Sequence, residues 1–487
     1  MQFNGKDLSS IFNPSYCVLR IYLENQGIPQ SDSDPLNNLI IQHSKNHRKN
    51  HLLSLGKHLD LGEGSLELRA ENTLLAIEDK EQVIYQPILS TKTLIDSTEV
   101  EIFAGADFLI LEEDEYFIRD CKMVKTIKDE HLRIKQQITL CAWVFEQNFK
   151  KIPLKLQIFT KSNQLETVAY DGGVNALNTL EAMIQTRKLK NPPYSPVGAS
   201  KCAGCGFHDH CWSNATEKRD VSLVYDIDQS LAIALHKKNI KTYEQINSTF
   251  TEIELGEFVK DSGIRVGKKA KSILLHSRAM IENNEILIQT PAIPILDNYV
   301  MFDLEGIPPN LAPEEMIYLW GIQVYGKNKG EFLPSVASFE ENGDKLAWED
   351  FLQKANAIFN EHGNIPFVHW APYERTKLNL YIDRYGDSDG IAERIKRNLL
   401  DLLPITRNSI AIPREGYGLK VIEKYIGFTR KLQDVGGNWA IVQYFEAKEN
   451  NDKARREQII KEILLYNQED LDATWAVLEW LRSKTNS

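Results

Sequence analysis

No stretch of the 487-residue sequence is apolar over the roughly 20 residues needed to cross a bilayer. The opening MQFNGKDLSS also lacks the charged and apolar regions of a secretory signal. These absences point to a cytoplasmic protein with no membrane partner. There is no internal repeat, no low-complexity tract and no coiled-coil heptad pattern. GIRVGKK is not a Walker A loop, which needs four residues between its glycines and a Ser or Thr after the Lys, so ATP use is not indicated. Positive charge is not in excess either: the net charge is -11. That argues against a protein that coats nucleic acid, because phosphate binding normally uses a large positive field, but it leaves room for an enzyme with a local groove. Cysteine is sparse, with six residues. In a cytosolic chain these are metal ligands or buried small side chains rather than disulfides, because thiols there are kept reduced.

What is present is ordinary globular composition, 42% hydrophobic and 26% charged. Single cores stop growing at about 250 to 300 residues, so two or three domains are expected. Residues 1–215 mix helical patterns with strand-like runs, LLAIEDKEQVIYQPILS, EIFAGADFLILEE and EYFIRDCKMVK, and end in a cysteine cluster. Residues 216–290 read as a small helical connector, with short helices either side of Asn239 to Thr242 and of Ser262 to Gly267. The prolines of ILIQTPAIPIL mark the next boundary. Residues 291–487 then follow an α/β pattern, with NYVMFDLEG and MIYLWGIQVYG as its first strands. Arg119 to Lys135 is basic inside the acidic whole, either a groove or a solvated helix face.

A first group of candidate residues lies on two strand-like runs joined by the turn Glu112 to Glu115. One carries Asp107, the other Asp120 and Lys122. Residues two apart on a strand share a face, and hairpin pairing would bring Asp107 beside them. Carboxylates held that close favour an oxygen-bound Mg²⁺ or Mn²⁺, with Lys122 placed to position water or stabilise developing phosphorane charge. Exposed hairpins also contain such residues by chance. GAD, then D-C-K twelve residues on, then KQQITLCAW, resembles the PD-(D/E)XK nuclease core of the RecB-like family. The resemblance implies a Gln-x-x-x-Tyr helix motif, fitted by Gln137 but with Cys141 at the Tyr position. It also implies a metal-binding His on an early helix. HSKNHRKNH offers His43, His47 and His51, of which His47 fits the family pattern best. A solvated polar face is the alternative.

KCAGCGFHDHCW supplies Cys202, Cys205 and Cys211, one ligand short of a closed site. Cys17 is the candidate fourth, while Cys121 and Cys141 read as packing residues. One distant cysteine plus a trio resembles the iron-sulfur staple of AddB-type and CRISPR-associated exonucleases. That resemblance implies a 4Fe-4S cluster; four thiolates alone could equally hold structural Zn²⁺, or no metal.

The second group begins with Asp303 and Glu305, two apart at the end of an apolar strand, where paired acids are costly unless a cation uses them. Far downstream, Tyr466 and Asp470 lie four apart on one helical face. An Asp-x-Glu strand and a Tyr-x-x-x-Asp helix resemble motifs of the DEDD-type 3'-5' exonucleases, whose fold is RNase H-like. The nearest match to the intervening motif is HWAPYE, with His369 and with Glu374 in the Asp position. The resemblance implies two metals, anchored by Asp303, Glu374 and Asp470 with Glu305 bridging, Tyr466 orienting water, and Asp401 in a supporting role. In the connector, DIDQSLAIALHKKNIKT and DSGIRVGKKAKS resemble degenerate helix-hairpin-helix units that contact phosphate. Asp226-Ile227-Asp228 replaces the usual Gly-x-Gly turn, and a plain spacer is the alternative.

Taken together, the chain resembles the RecB-like nuclease family that joins these parts. The fold class expected is α/β: a restriction-endonuclease-like PD-(D/E)XK domain, a helix-hairpin-helix-like connector and an RNase H-like domain. The resemblance implies a metal-dependent exonuclease acting on DNA in preference to RNA. Its setting would be repair, recombination or mobile-element processing, with a helicase or another repair protein as partner. The alternatives are a nuclease with one working site, the other holding substrate, and a noncatalytic nucleic-acid-binding or scaffolding protein.

Overall fold

The computed structural model describes residues 1–31, 34–261, 269–312, 314–327, 329–433 and 435–485. The expected turn at Ser262 to Gly267, and with it most of GIRVGKK, lies outside the described residues. Among the described residues, no helix is long and apolar enough to cross a membrane. The chain divides into two compact units, Met1–Ser195 with Ala199–Cys211, and Pro196–Gly198 with Trp212–Ser487.

The N-terminal unit contains a six-stranded sheet. Its order is Leu59–Asp60, Val83–Tyr85, Phe108–Glu112, Glu115–Lys122, Leu156–Thr160, Leu165–Thr167. Phe108–Glu112 and Glu115–Lys122 form an antiparallel hairpin in which Glu112 faces Glu115. Glu113 and Asp114 turn it with φ of 50° and 65°, the left-handed pair that a two-residue hairpin needs. The helix Leu132–Phe149 then carries the chain to Leu156–Thr160, which pairs parallel to Glu115–Lys122. Ile134, Ile138, Cys141, Ala142 and Phe145 form its buried stripe, each large apolar side chain contributing about 1.5–3 kcal/mol. Cys121 and Cys141 are both buried in packing positions.

One stretch expected to be strand is otherwise. Leu74 to Glu78 close the helix Leu66–Glu78, because Ala70, Thr73 and Ala76 bury a face at helical spacing. A second sheet sets Gln2–Asn4 parallel to Thr98–Gly105, which pairs antiparallel with Ile88–Ile95.

In the second unit, Gln229–Lys237, Tyr243–Thr249, Glu252–Asp261 and Ala270–Glu282 are helices. They share an apolar cluster that includes Leu231, Leu235, Ile246, Leu255 and Ile273. Asn239 makes the turn between the first two with φ of 63°. The five-stranded sheet beyond runs in the order Leu333–Val336, Met316–Gly326, Asn298–Ile307, Phe367–His369, Leu399–Asp401. Its first three strands are antiparallel and the last two join in parallel. The 31-residue helix Lys453–Ser483 packs on Asn298–Ile307 and Met316–Gly326.

Candidate active site

The central strand Asn298–Ile307 is buried by neighbours on both sides, and its two acids point to one face. Asp303 lies opposite Gly321, and the register shifts just after Glu305. From the long helix, Asp470 meets them. The three carboxylates each offer an oxygen within 4.8 Å of the others, and among the described residues they are the group so arranged. Like charges at that spacing repel by about 3 kcal/mol per pair at an effective dielectric of 20. Accordingly, burial first and then the neighbouring acids hold Asp303 and Glu305 well above the usual carboxylate range. Asp470 is raised by burial, against the pull of Arg430 and Lys420. Oxygen donors, burial and uncompensated negative charge suit a hard divalent cation, so these residues fit the metal that RNase H-like nucleases use.

The surroundings hold each acid in place. Asn467 Nδ2 donates to Asp303 Oδ2 at 2.6 Å. Gly321 leaves the room for it, since a Cβ there would fall 1.8 Å from Asn467 Oδ1. Arg430 Nη2 donates to Asp470 Oδ1 at 2.5 Å, and its Nε and Nη2 also bind Glu423 at 2.8 and 2.5 Å. Glu469 accepts from Lys431 N and Leu432 N and so fixes the segment after Arg430. Lys420 Nζ lies 3.8 Å from Asp470 Oδ1 and over the Tyr466 ring at 5.1 Å. Burial, then the charges of Asp470, Glu305 and Asp303, push the Tyr466 hydroxyl far up, so it stays protonated beside them.

Glu374, expected as the fourth ligand, is held by other partners. It is buried, and its Oε2 lies 3.1 Å from His369 Nδ1, outside the group of three. His369 Nδ1 also lies 2.8 Å from Ala371 O. Both neighbours accept, so Nδ1 carries the hydrogen. The cause is local: Ala371 turns with φ of 73°, its N donates to Asp401 Oδ1 at 3.0 Å, and Leu403 N donates to the same oxygen. Asp401 therefore caps a helix and fixes this turn. Glu374 still acts on Asp303 and Glu305 through its charge. Arg430, Lys420, Glu423 and Asn467 were not among the sequence candidates. Asn467 was visible as the neighbour of Tyr466 three residues before Asp470; the two cations had no local signal.

In the N-terminal unit, Asp107, Asp120, Lys122 and Gln137 do come together, lining a cavity of about 200 Å³ with Arg48 and Arg69. Asp107 N donates to Asp120 Oδ1 at 2.8 Å, and Cys121 N donates to Asp107 Oδ2 at 2.7 Å. Each acid also has a cation: Arg48 Nε is 2.8 Å from Asp107, and Lys122 Nζ is 3.0 Å from Asp120. Burial first, then Asp120, pushes the Asp107 carboxyl up to about 6, against Lys122 and Arg48. Those two acids raise the Lys122 ammonium more than burial lowers it. Gln137 Nε2 donates to Ser9 Oγ. His47 is placed elsewhere: its Nε2 lies 3.4 Å from Phe159 O, and its ring stacks on Phe159. His51 stacks there too and meets Arg119. Arg48 thus stands where the sequence pattern expected His47.

The four cysteines expected as a metal-binding set all lie in the N-terminal unit. They are neighbours, since burial and then Cys17, Cys202 and Cys205 push the Cys211 thiol up to about 12. Yet among the described residues they do not gather within 4.8 Å as a ligand set. Cys205 Sγ accepts from Arg20 Nη2 at 2.7 Å, and Cys17 Sγ lies 3.4 Å from Ser195 Oγ. A closed zinc site draws four sulfurs around one ion at about 2.3 Å, closer together than they stand here, whereas an iron-sulfur cluster spaces its ligand sulfurs more widely. As placed, these residues are not drawn together around a single ion.

Residues 300–482 match the family model of the RNase_H superfamily. No curated protein matches the chain. Among solved structures it is similar to "Crystal structure of SSO0001", at 14% identity and a TM-score of 0.25, over 44% of this chain and 86% of that one. Asp303, Glu305 and Asp470 all lie inside the matched span, and the C-terminal part of the chain is an RNase H-like domain.

Proposed function

We propose that the protein is a metal-dependent nuclease whose hydrolytic centre is Asp303, Glu305 and Asp470. The observation that carries this reading is their convergence within 4.8 Å inside the RNase H-like span. Mg²⁺ or Mn²⁺ held there would stabilise the attacking and leaving oxygens of a phosphodiester. The chain's own residues do the rest. Asn467 fixes Asp303, Arg430 fixes Asp470, and Tyr466, kept protonated, offers its hydroxyl to an incoming water. The finer reading is a DNA exonuclease of repair, recombination or mobile-element processing, working in the cytoplasm with a helicase or similar partner. It rests on the family resemblance of the whole sequence.

For the N-terminal unit the same resemblance supports a PD-(D/E)XK site made of Asp107, Asp120, Lys122 and Gln137. The ion pairs to Arg48 and Lys122 favour a second reading, in which this charge-paired cavity binds nucleic acid and hydrolysis belongs to the C-terminal site. Cleavage of labelled single- and double-stranded DNA and RNA by the intact protein, with Mn²⁺ or Mg²⁺ and with chelator, tests the proposal. Metal-dependent cleavage that Asp303→Asn removes is expected; cleavage that Asp303→Asn leaves intact would overturn it.

A further inference from the structure

Two cationic donors beside the carboxylates have no acceptor. Among the described residues, Lys420 Nζ and Arg430 Nη1 are buried and make no hydrogen bond. Arg430 is only 8% exposed, and its other donors are used on Glu423 and Asp470. The carboxylate oxygens paired with Lys420 are Asp470 Oδ1 at 3.8 Å and Glu423 Oε1 at 3.9 Å, beyond hydrogen-bond reach. Leaving an occluded charged donor without an acceptor is costly, more so for Arg430 than for Lys420, whose side chain is 39% exposed with its Nζ turned inward, and the two lie close enough for each charge to work against the other. A purely structural pair would have been given acceptors. A metal on the three carboxylates cannot serve, because it too is a cation. The missing partner is an anion with oxygen acceptors, placed next to Asp470.

We infer that Lys420 and Arg430 are the anion-binding half of this site, taking a charged non-bridging oxygen of the phosphodiester through Lys420 Nζ and Arg430 Nη1. The inference rests on the nuclease reading and adds to it two catalytic residues that touch substrate. Lysine and arginine suit the task differently. The ammonium is a compact point charge free to turn, while the guanidinium keeps one edge on Asp470 and Glu423 and offers the other to phosphate. With Glu374 turned to His369, these two cations also do at the phosphate what a second metal would otherwise do.

Lys420→Met removes no hydrogen bond of the folded chain, so its fold is expected to survive, and Lys420→Arg restores a cation. Mn²⁺ binding to metal-free protein is followed by electron paramagnetic resonance. Binding of thymidine 5'-monophosphate to the Mn²⁺-loaded protein is then followed by calorimetry, with thymidine as the control. Expected for Lys420→Met is Mn²⁺ affinity equal to or tighter than wild type, with nucleotide affinity lower by about tenfold to a hundredfold, largely recovered in Lys420→Arg. Nucleotide affinity unchanged in Lys420→Met overturns the inference, as does parallel loss of Mn²⁺ and nucleotide. If the wild type binds neither Mn²⁺ nor nucleotide, the nuclease reading falls too; if it binds both and Lys420→Met matches it, only this inference falls.

Discussion

The two carboxylate sites use the same residue types to different ends. In the N-terminal unit two acids face two cations, with Asp107 on Arg48 and Asp120 on Lys122, so the charge is balanced before any ion arrives. In the second unit three acids crowd within 4.8 Å, and among the described residues only Asp470 has a cation in hydrogen-bond contact. Asp303 is held by an amide, which fixes its direction without neutralising it. A carboxylate becomes a cation-holder or a salt-bridge partner according to what the fold places next to it.

The largest test of that contrast is a pair of variants. Asp303→Asn is expected to lower metal-dependent cleavage on the order of a thousandfold, and Asp120→Asn to lower it far less. Turnover on the same labelled substrates measures both, and the reverse ranking would break the comparison. Next in size is the metal itself. Mn²⁺ titration of the wild type should show a tight event that Asp470→Asn removes, while Arg48→Met, by freeing Asp107, should strengthen a second and weaker one. A smaller effect is expected from Gly321→Ala. Its methyl displaces Asn467, so activity should drop by about tenfold, with stability lower by about 1–3 kcal/mol on denaturant unfolding.

The smallest effect belongs to the N-terminal unit alone. Burial, then Arg119 and His47, pushes His51 from its ordinary 6.5 down to about 4. Its neutral form therefore contributes stability that is complete above 6.5 and is lost as pH falls toward about 4, because the unfolded chain binds the proton first. His51→Gln should flatten the acid limb of the thermal midpoint by a few degrees; a limb unchanged in the variant would assign it to other groups.

Much of this was legible because it is local. Asp303 and Glu305 follow the two-residue period of a strand, and Tyr466 and Asp470 follow the turn of a helix, so each pair could be placed on a face from spacing alone. What was not legible was decided by tertiary contact. His47 and Arg48 are adjacent on one helix, and stacking on Phe159 chooses which of them turns to Asp107. Glu374 matched its motif, but the turn at Ala371 delivers it to His369. The cysteine spacing suggested a staple, and Arg20 takes one of its sulfurs. Arg430 and Lys420 gave no sign, since the site acid they share, Asp470, lies on the C-terminal helix 40 and 50 residues further on.

The long helix that completes the site has a consequence during synthesis. Asn467 follows Asp303 by 164 residues. At about 5–20 residues per second, the ribosome needs roughly ten to thirty seconds to make that stretch. Throughout that interval the nascent chain carries two acids on an apolar strand with neither amide nor third carboxylate beside them. A half-made polypeptide therefore has no assembled cluster of three carboxylates.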